Sequence, residues 1–461
     1  MGSPSPVDAA VTKKSQQPES GQYQVWWANA VFFVSAHVAA LVGVYYYPVR
    51  VVHRASIILC LLVWQAACFG ITIGYHRLYS HRSFRASLGV RVVLAALGAS
   101  GFQGSIKVGK LSLGTSSLVC SQTPSLRALQ WWCLRHRLHH RFTDDPDHDP
   151  YCATKGLLWS HMGWIFFKPK YEKMGLIERD DLENDPVVRI QHKYYVVFAL
   201  FTGFVFPPMM GLLWGDAIGS FVWAGLVARL MIWHCTFLVN SLAHFDGLQP
   251  YSDENTSRTN LIYAFLTCGE GNHNFHAFPH DFRSGPSAGD WDPSKWIIMA
   301  LNHYGLATGL RKARSVDIQE ALVHMHQKGH HHHGELHAPA RYESSSDDQS
   351  SSSEMKVLYD AWTMDEVKTY VEAKKGRCVL VVKGFVVDAT GYLGEHPGGA
   401  AFLRKYSIRT SSASKEEADL WKEATWAFDG GMNQHSRAAK RQMRELIVAR
   451  LHSQPIIEEE I

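Results

Sequence analysis

The chain of 461 residues holds only eight cysteines, and no two of them form a C-x-x-C pair. That scarcity excludes a disulfide framework and fits a reducing compartment. A charge surplus is missing too: 46 Lys and Arg against 42 Asp and Glu leave +4, too small an imbalance to mark nucleic acid as a partner. No basic-then-apolar leader opens the sequence, and the dinucleotide fingerprint G-x-G-x-x-G does not occur. With 46% hydrophobic and 19% charged residues, the chain as a whole is not disordered. What stands in excess is histidine, 26 residues, together with 15 tryptophans.

Two stretches have no Asp, Glu, Lys or Arg at all: Val25–Tyr47 and Ala55–Gly74. About 20 such residues cross roughly 30 Å of hydrocarbon. The short link between them predicts a helical hairpin, and the Trp and Tyr residues at the ends of the first suit a membrane interface. A second pair, Tyr194–Gly215 and Phe221–Asn240, is joined around Asp216. Pro207 and Pro208 are tolerated in membrane helices. Arg229 and His234, inside the last stretch, are expensive in lipid and must face protein or a polar head. Between the pairs, residues 75–193 carry seventeen Lys and Arg against ten Asp and Glu. That excess places the segment, and with it both termini, on the cytosolic side.

This pattern divides the chain. Residues 1–22 read as a polar, mobile N-terminus and 23–314 as a membrane domain with spans near 25–47, 55–74, 194–215 and 221–240. Residues 315–356 read as a short amphipathic helix followed by a low-complexity, flexible linker. Residues 357–451 form a second, soluble domain, and 452–461 a tail. In the second domain, Thr363 and Glu366 make a capping box that opens a helix. Val379–Thr390 predicts two short strands around Lys383 and Gly384.

The histidines cluster where the apolar stretches end. His76 and His81 follow the second, His244 follows the fourth, and His136, His139 and His140 lie between the pairs, with His273 and His276 further on. Positions i, i+3 and i+4 share one helix face, so His136, His139 and His140 are expected to present three imidazoles to one point. His76 and His81, five apart, are offset by roughly 140° on an ideal helix; they are expected to reach different metals, or to sit where the helix frays. Eight imidazoles exceed one tetrahedral zinc and point to two ions of the kind imidazole suits, such as iron, zinc or copper. The Glu-x-x-His pairs of carboxylate di-iron bundles are absent.

The boxes His-x4-His, His-x2-His-His and His-x2-His, with GYHRLYSHRSF, HRLHHRFTD, SHMGW, NSLAH and GEGNHNFH, resemble the membrane acyl-CoA Δ9 desaturases, in particular their fungal members, over Gln24–Arg314. The resemblance implies a mainly α fold, a four-span transmembrane helical bundle under a cytosolic helical cap, in the endoplasmic reticulum membrane with its active site on the cytosolic face. It implies two iron ions, O2 and two electrons, used to introduce a cis double bond into saturated C16/C18 acyl-CoA. Carried over residue by residue, His76, His81, His136, His139, His140, His244, His273 and His276 are metal ligands, and Asn240 contacts one iron through water. Asn29 matches an asparagine near the CoA head, although the arginine usually beside it is Ala28 here, and Lys168 and Lys170 are cations available to the CoA phosphates. The chemistry agrees: an unactivated methylene has no acidic proton, so an oxidising metal must start the reaction.

The chain departs from that family twice. After His273-Asn274-Phe275-His276 stands Ala277 where a further His is expected, one residue before the usual spacing to Pro279. Loss of that ligand implies weakened iron binding and impaired activity. Val108–Gln130, a Ser/Leu-rich stretch, separates Lys107 from Trp131, which the family joins directly; it is either a retained intron or a surface loop.

Glu395-His396-Pro397-Gly398-Gly399 and Asn433-Gln434-His435-Ser436 look like the two haem-ligand loops of cytochrome b5, which makes the second domain a small α+β carrier of haem b held by His396 and His435. Trp421, Trp426, Phe428 and Met432 are candidates to line its pocket. The linker presents this donor at high effective concentration, and the implied partner is an NADH-dependent cytochrome b5 reductase. Two other readings share these features: a fatty-acid or sphingolipid hydroxylase, which NSLAH and GEGNHNF disfavour, and a non-catalytic membrane haem protein, supported by the lost third-box histidine.

Overall fold

In lipid only a helix can satisfy its own backbone polar groups within one segment. Four helices are long and apolar enough to do so: Trp27–Tyr46, Arg54–Ser80, Pro186–Trp214 and Ala217–Phe245. The structure is a computed structural model that describes residues 23–103, 132–169, 171–278, 280–333, 359–396, 398–408, 423–431 and 435–452. The segments 1–22, 108–130 and 334–356, with Lys170, Trp421 and Met432, lie outside the described residues. The first span buries Asn29, Phe33 and Ala40 and turns Val31, Val38 and Leu41 outward. Such an apolar flank costs nothing in hydrocarbon and much in water. The chain is a multi-pass membrane protein.

The second span continues past Gly74 to Ser80, because Gly70–Ser80 winds as a π-helix. Its first residue is the point of closest approach to a neighbouring helix, Leu88–Ser100, which the hydropathy reading did not single out. A Cβ added to Gly70 would fall 2.3 Å from the Gly98 amide nitrogen and 2.4 Å from the Leu97 carbonyl carbon. Small residues that let two backbones touch are a recurrent device of membrane helix packing.

The third span bends at Tyr194 and passes through a π-helical stretch, Phe201–Val205. Pro207 and Pro208 then open the helix Phe206–Gly211. Asp216 ties the loop between the last two spans to the second by accepting from the His53 amide at 2.9 Å and the Ser56 hydroxyl at 2.7 Å. The fourth span runs through a π-helical Phe221–Val227 into Ala228–Asn240 and breaks at Ser241. Arg229 is only 1% exposed, so it faces protein, as the cost of a charge in lipid demands.

Short helices and loops, among them Trp132–Arg141 and His273–Ala277, cover one end of the bundle. They are stapled by strands β1, Arg85–Ala86, and β2, Ala307–Thr308, paired antiparallel. The second domain holds β3 (Ala361–Trp362), β4 (Val379–Val382), β5 (Phe385–Asp388) and β6 (Ile447–Leu451) in the order β3-β6-β5-β4. Lys383 and Gly384 join β4 to β5 with φ of 52° and 80°, the left-handed pair that a two-residue hairpin turn needs. Thr363 and Glu366 form the capping box at Met364–Glu372. The helix from Ser315 runs to His333, into the histidine run, four residues beyond its expected end.

Gly70→Ala should drive the Gly70–Gly98 contact apart. Overpacking of this kind costs about 1–3 kcal/mol, read as a lowered melting temperature of the detergent-solubilised protein. An unchanged melting temperature would contradict this packing.

Candidate metal centre and haem pocket

The π-helical winding decides where the first two histidines go. In a π-helix the backbone bonds run i→i+5, and the His81 amide donates to the His76 carbonyl at 3.0 Å. Residues five apart therefore stack. His76 and His81 enter the same group, which corrects the expectation of different metals drawn from ideal α-helical pitch.

The second box corrects the sequence reading the other way. On helix Trp132–Arg141, His136 and His140 face one group and His139 another, so the three imidazoles do not meet at one point. The first group comprises His76, His81, His136, His140 and His276, and the second His139, His244 and His273; within each, the ligand atoms lie within 4.8 Å of one another. In the first, His76 Nε2 is 3.0 Å from His276 Nε2, His81 Nε2 is 2.9 Å from His136 Nε2, and His276 Nε2 is 3.1 Å from His81 Nε2. In the second, His273 Nε2 and His244 Nε2 stand 3.1 Å apart. His280 belongs to neither group; its surroundings include Arg311, His396 and Arg82. No described imidazole replaces the histidine missing at Ala277, and the groups number five and three.

The far side of each ring explains its aim. His76 Nδ1 lies 3.3 Å from Glu270, which is itself held by Arg77 at 2.9 Å, with Arg77 in turn paired to Asp292 at 2.9 Å. His139 Nδ1 donates to Asp149 at 2.8 Å. His244 Nδ1 is 2.8 Å from the Thr256 hydroxyl, which donates to Asp144 at 2.8 Å. Outer partners of this sort fix the tautomer and turn Nε2 inward as a lone pair. The sequence reading missed Glu270, Asp149, Thr256 and Asp144; Glu270 in GEGNHNFH and Asp149 in DHDP lie beside the boxes, the only signal available.

Burial works against charge on His139, yet Asp149 outweighs it and draws that imidazole upward. Burial also opposes charge on Glu270, but Arg77 and His76 prevail and hold the carboxyl near about 2. Burial, reinforced by neighbouring imidazoles, pushes His81, His136, His140 and His276 well below the ordinary histidine range, and His273 to about 3. Neutral rings are what a metal ion requires of imidazole. The fit is sharpened by His140, whose buried Nε2 has no hydrogen-bond partner among the described residues. Such an orphan inside a ring of nitrogens is placed to be satisfied by a metal ion.

A cleft opens beside the first group. Trp26, Phe33, Trp132 and Trp164 supply apolar walls, with His136, Asn240 and Asn29 among its polar lining. Asn29 is 5% exposed and donates from Nδ2 to the Ile165 carbonyl at 3.3 Å. Lys168 lies at the protein surface, where its ammonium donates to Gln24 at 3.3 Å.

In the second domain His396 Nδ1 donates to the Gly399 carbonyl at 3.2 Å and His435 Nδ1 to the Phe428 carbonyl at 2.9 Å. Both rings thereby keep a free Nε2, the nitrogen an axial haem ligand offers. Burial depresses both, His396 to about 4. A Cβ on Gly398 would lie 2.9 Å from the His396 ring, so glycine keeps the ring's surroundings open. Phe428 stacks on His435 at 4.6 Å, whereas Trp426 is 56% exposed. The His396 loop faces the membrane domain: Arg141 covers the Phe402 ring at 4.7 Å, Arg311 donates to the Gly394 carbonyl, and Arg314 pairs with Glu445.

Imidazoles titrating lower in the fold than their unfolded value of roughly 6.5 give stability that is complete above that pH and is lost as pH falls through it. The melting temperature of metal-free protein should be level above pH 7 and fall steeply between pH 6.5 and 5. A flat profile across that window would contradict the buried, neutral groups.

A fatty acid desaturase family model matches residues 115–280, and a cytochrome b5-like haem/steroid binding domain model matches residues 363–409. The chain is 32% identical over 449 residues to a probable acyl-CoA desaturase of Schizosaccharomyces pombe, covering 94% of this chain and 82% of that protein. It is 34% identical over 381 residues to acyl-CoA desaturase 1 of Saccharomyces cerevisiae, covering 82% of this chain but 64% of that protein's length. It is also 32% identical to stearoyl-CoA desaturase 5 of Homo sapiens, over 64% of this chain and 83% of the human protein. Matched over most of its length by such relatives, the chain belongs to the fatty acid desaturase family, as an acyl-CoA desaturase that carries its own cytochrome b5-like domain.

Proposed function

We propose that this protein introduces a cis double bond at the Δ9 position of saturated C16/C18 acyl-CoA, in the endoplasmic reticulum membrane with its histidine groups on the cytosolic face. The observation that carries the reading is the pair of buried histidine groups whose Nε2 atoms converge, one of them bearing the orphaned His140 nitrogen. His76, His81, His136, His140 and His276 would hold one iron ion, and His139, His244 and His273, with Asn240 through water, a second. Iron there supplies the oxidising power that breaking an unactivated C–H bond requires.

The chain's own residues do the rest. The cleft beside His136 takes the acyl tail, and its aromatic walls exclude water from it. Asn29 lies in that lining, where it addresses the polar end of the substrate. Lys168, exposed beside Gln24, is a cation for the CoA phosphates, and Lys170, outside the described residues, is the second one the sequence suggests. Glu270, Asp149 and Thr256 keep the rings of His76, His139 and His244 in one tautomer and one orientation. His396 and His435 would hold haem b, which would supply one-electron transfer there. The contacts of Arg141, Arg311 and Arg314 support delivery of electrons from that haem to the histidine groups, with an NADH-dependent cytochrome b5 reductase as the external donor.

The shortage at Ala277 falls on the second group, which has three imidazoles against five. Insertion of a histidine after His276 should therefore raise non-haem iron retention under chelator challenge and raise desaturation several-fold over the chain as it stands. Fatty-acid analysis of cells expressing both forms checks this. A hydroxylated product, or no unsaturated product from either form, would overturn the reading.

A further inference from the structure

Three histidines outside both groups form a line. His37 of the first span places Nε2 3.1 Å from His234 Nε2 of the fourth, and His234 Nδ1 is 3.0 Å from His161 Nε2. His161 Nδ1 in turn lies 2.9 Å from the Ser241 hydroxyl, at the break that follows Asn240. Both nitrogens of His234 are engaged, on opposite sides of its ring. The three therefore cannot close on one ion, and they make a hydrogen-bonded chain instead.

Counting protons along this chain gives an unequal result. His37 Nδ1 contacts the Phe33 carbonyl at 2.6 Å, and the Ser241 hydroxyl contacts the Phe237 carbonyl at 2.7 Å. A carbonyl only accepts, so each end must donate outward. Five contacts then need five protons, while three neutral imidazoles and one hydroxyl supply four. In the neutral line one contact goes unfilled, or Ser241 releases Phe237 and turns its hydrogen to His161. The line thus has a seat for one extra proton, and Ser241 moves as that seat fills and empties.

The surroundings leave the seat to these rings alone. The titratable groups facing His234 from the packed elements are His37 and His161, and no Asp, Glu, Lys or Arg joins them among the described residues. Burial pushes the half-buried His161 below its ordinary range. We propose that His37, His234 and His161 form a one-proton relay that serves the desaturation site through Ser241, next to Asn240. This rests on the desaturase reading: each double bond formed consumes one O2, two electrons and two protons, and with the two hydrogens taken from the acyl chain yields two waters. The electrons come through the haem domain; the relay addresses the protons. His37, His161 and His234 are positioning residues in this scheme, since none touches substrate.

The test uses full-length protein in lipid nanodiscs with nitrogen-15-labelled histidine. The three rings should titrate together as a unit that takes up one proton. His234→Gln can donate to His37 and accept from His161 as the neutral ring does, but cannot carry the proton, so His37 and His161 should then titrate independently. Independent titration in the unaltered protein would overturn the relay. Turnover gives a second readout. Above pH 7 the His234→Gln rate should fall toward tenfold per pH unit while the unaltered protein stays level, and identical profiles would overturn the proposal. His37→Gln, made alongside, must show the same loss of joint titration, and an unchanged melting temperature of its membrane domain verifies the fold. Absence of any double-bond product from both the unaltered protein and the form with a histidine inserted after His276 would sink the desaturase reading, while the titration would still decide the seat.

Discussion

Imidazole nitrogen can serve a metal only when it is neutral, buried and pointed, and those three conditions compete with the ordinary tendency of histidine to seek water. In this protein they are met together. Burial disfavours the proton on His81, His136, His140, His273 and His276, and an outer hydrogen bond through Nδ1 fixes the rings of His76, His139 and His244. The supports of His76, His139 and His244 differ in chemistry: a carboxylate clamped by arginine, a buried aspartate, and a threonine backed by a second aspartate. What they share is geometry. Without them the rings would turn toward the nearest backbone carbonyl, and the two groups would dissolve into satisfied core histidines.

The membrane bundle exists to hold that geometry at its aqueous end. The π-helical turn at Gly70–Ser80 delivers two histidines to one group, and it is seated by a glycine contact that no larger residue fits. The break at Ser241 places Asn240 and His244 on either side of a change in chain direction. Of the three π-helical stretches in the spans, only Gly70–Ser80 carries a ligand histidine; Phe201–Val205 and Phe221–Val227 carry none.

Much of this was legible in the residues and some was not. Long charge-free stretches report spans through composition alone, and Thr363 with Glu366 or Lys383 with Gly384 report local structure through hydrogen bonding within a few residues. The histidine boxes announced a metal site because eight ligands of one type seldom gather otherwise. Periodicity failed where the helix was not α: from ideal pitch His76 and His81 diverge, while the π-helix brings them together. Sorting His136 and His140 from His139 also lay beyond the sequence, since one helix face can serve two centres. Glu270, Asp149 and Thr256 were invisible for a plainer reason, that their partners lie on other elements. The helix Leu88–Ser100 passed unnoticed because Arg91 interrupts its apolar run.

The account stands or falls on what the two histidine groups hold. Non-haem iron per chain, measured on full-length protein purified with iron supplied and haem counted separately, tests it most directly. Between one and two irons per chain, reaching two when a histidine is inserted after His276, with one ion lost in His140→Ala and the other in His273→Ala, is the predicted result. Protein that carries haem but no non-haem iron under those conditions would contradict the claim that these imidazoles form a metal centre.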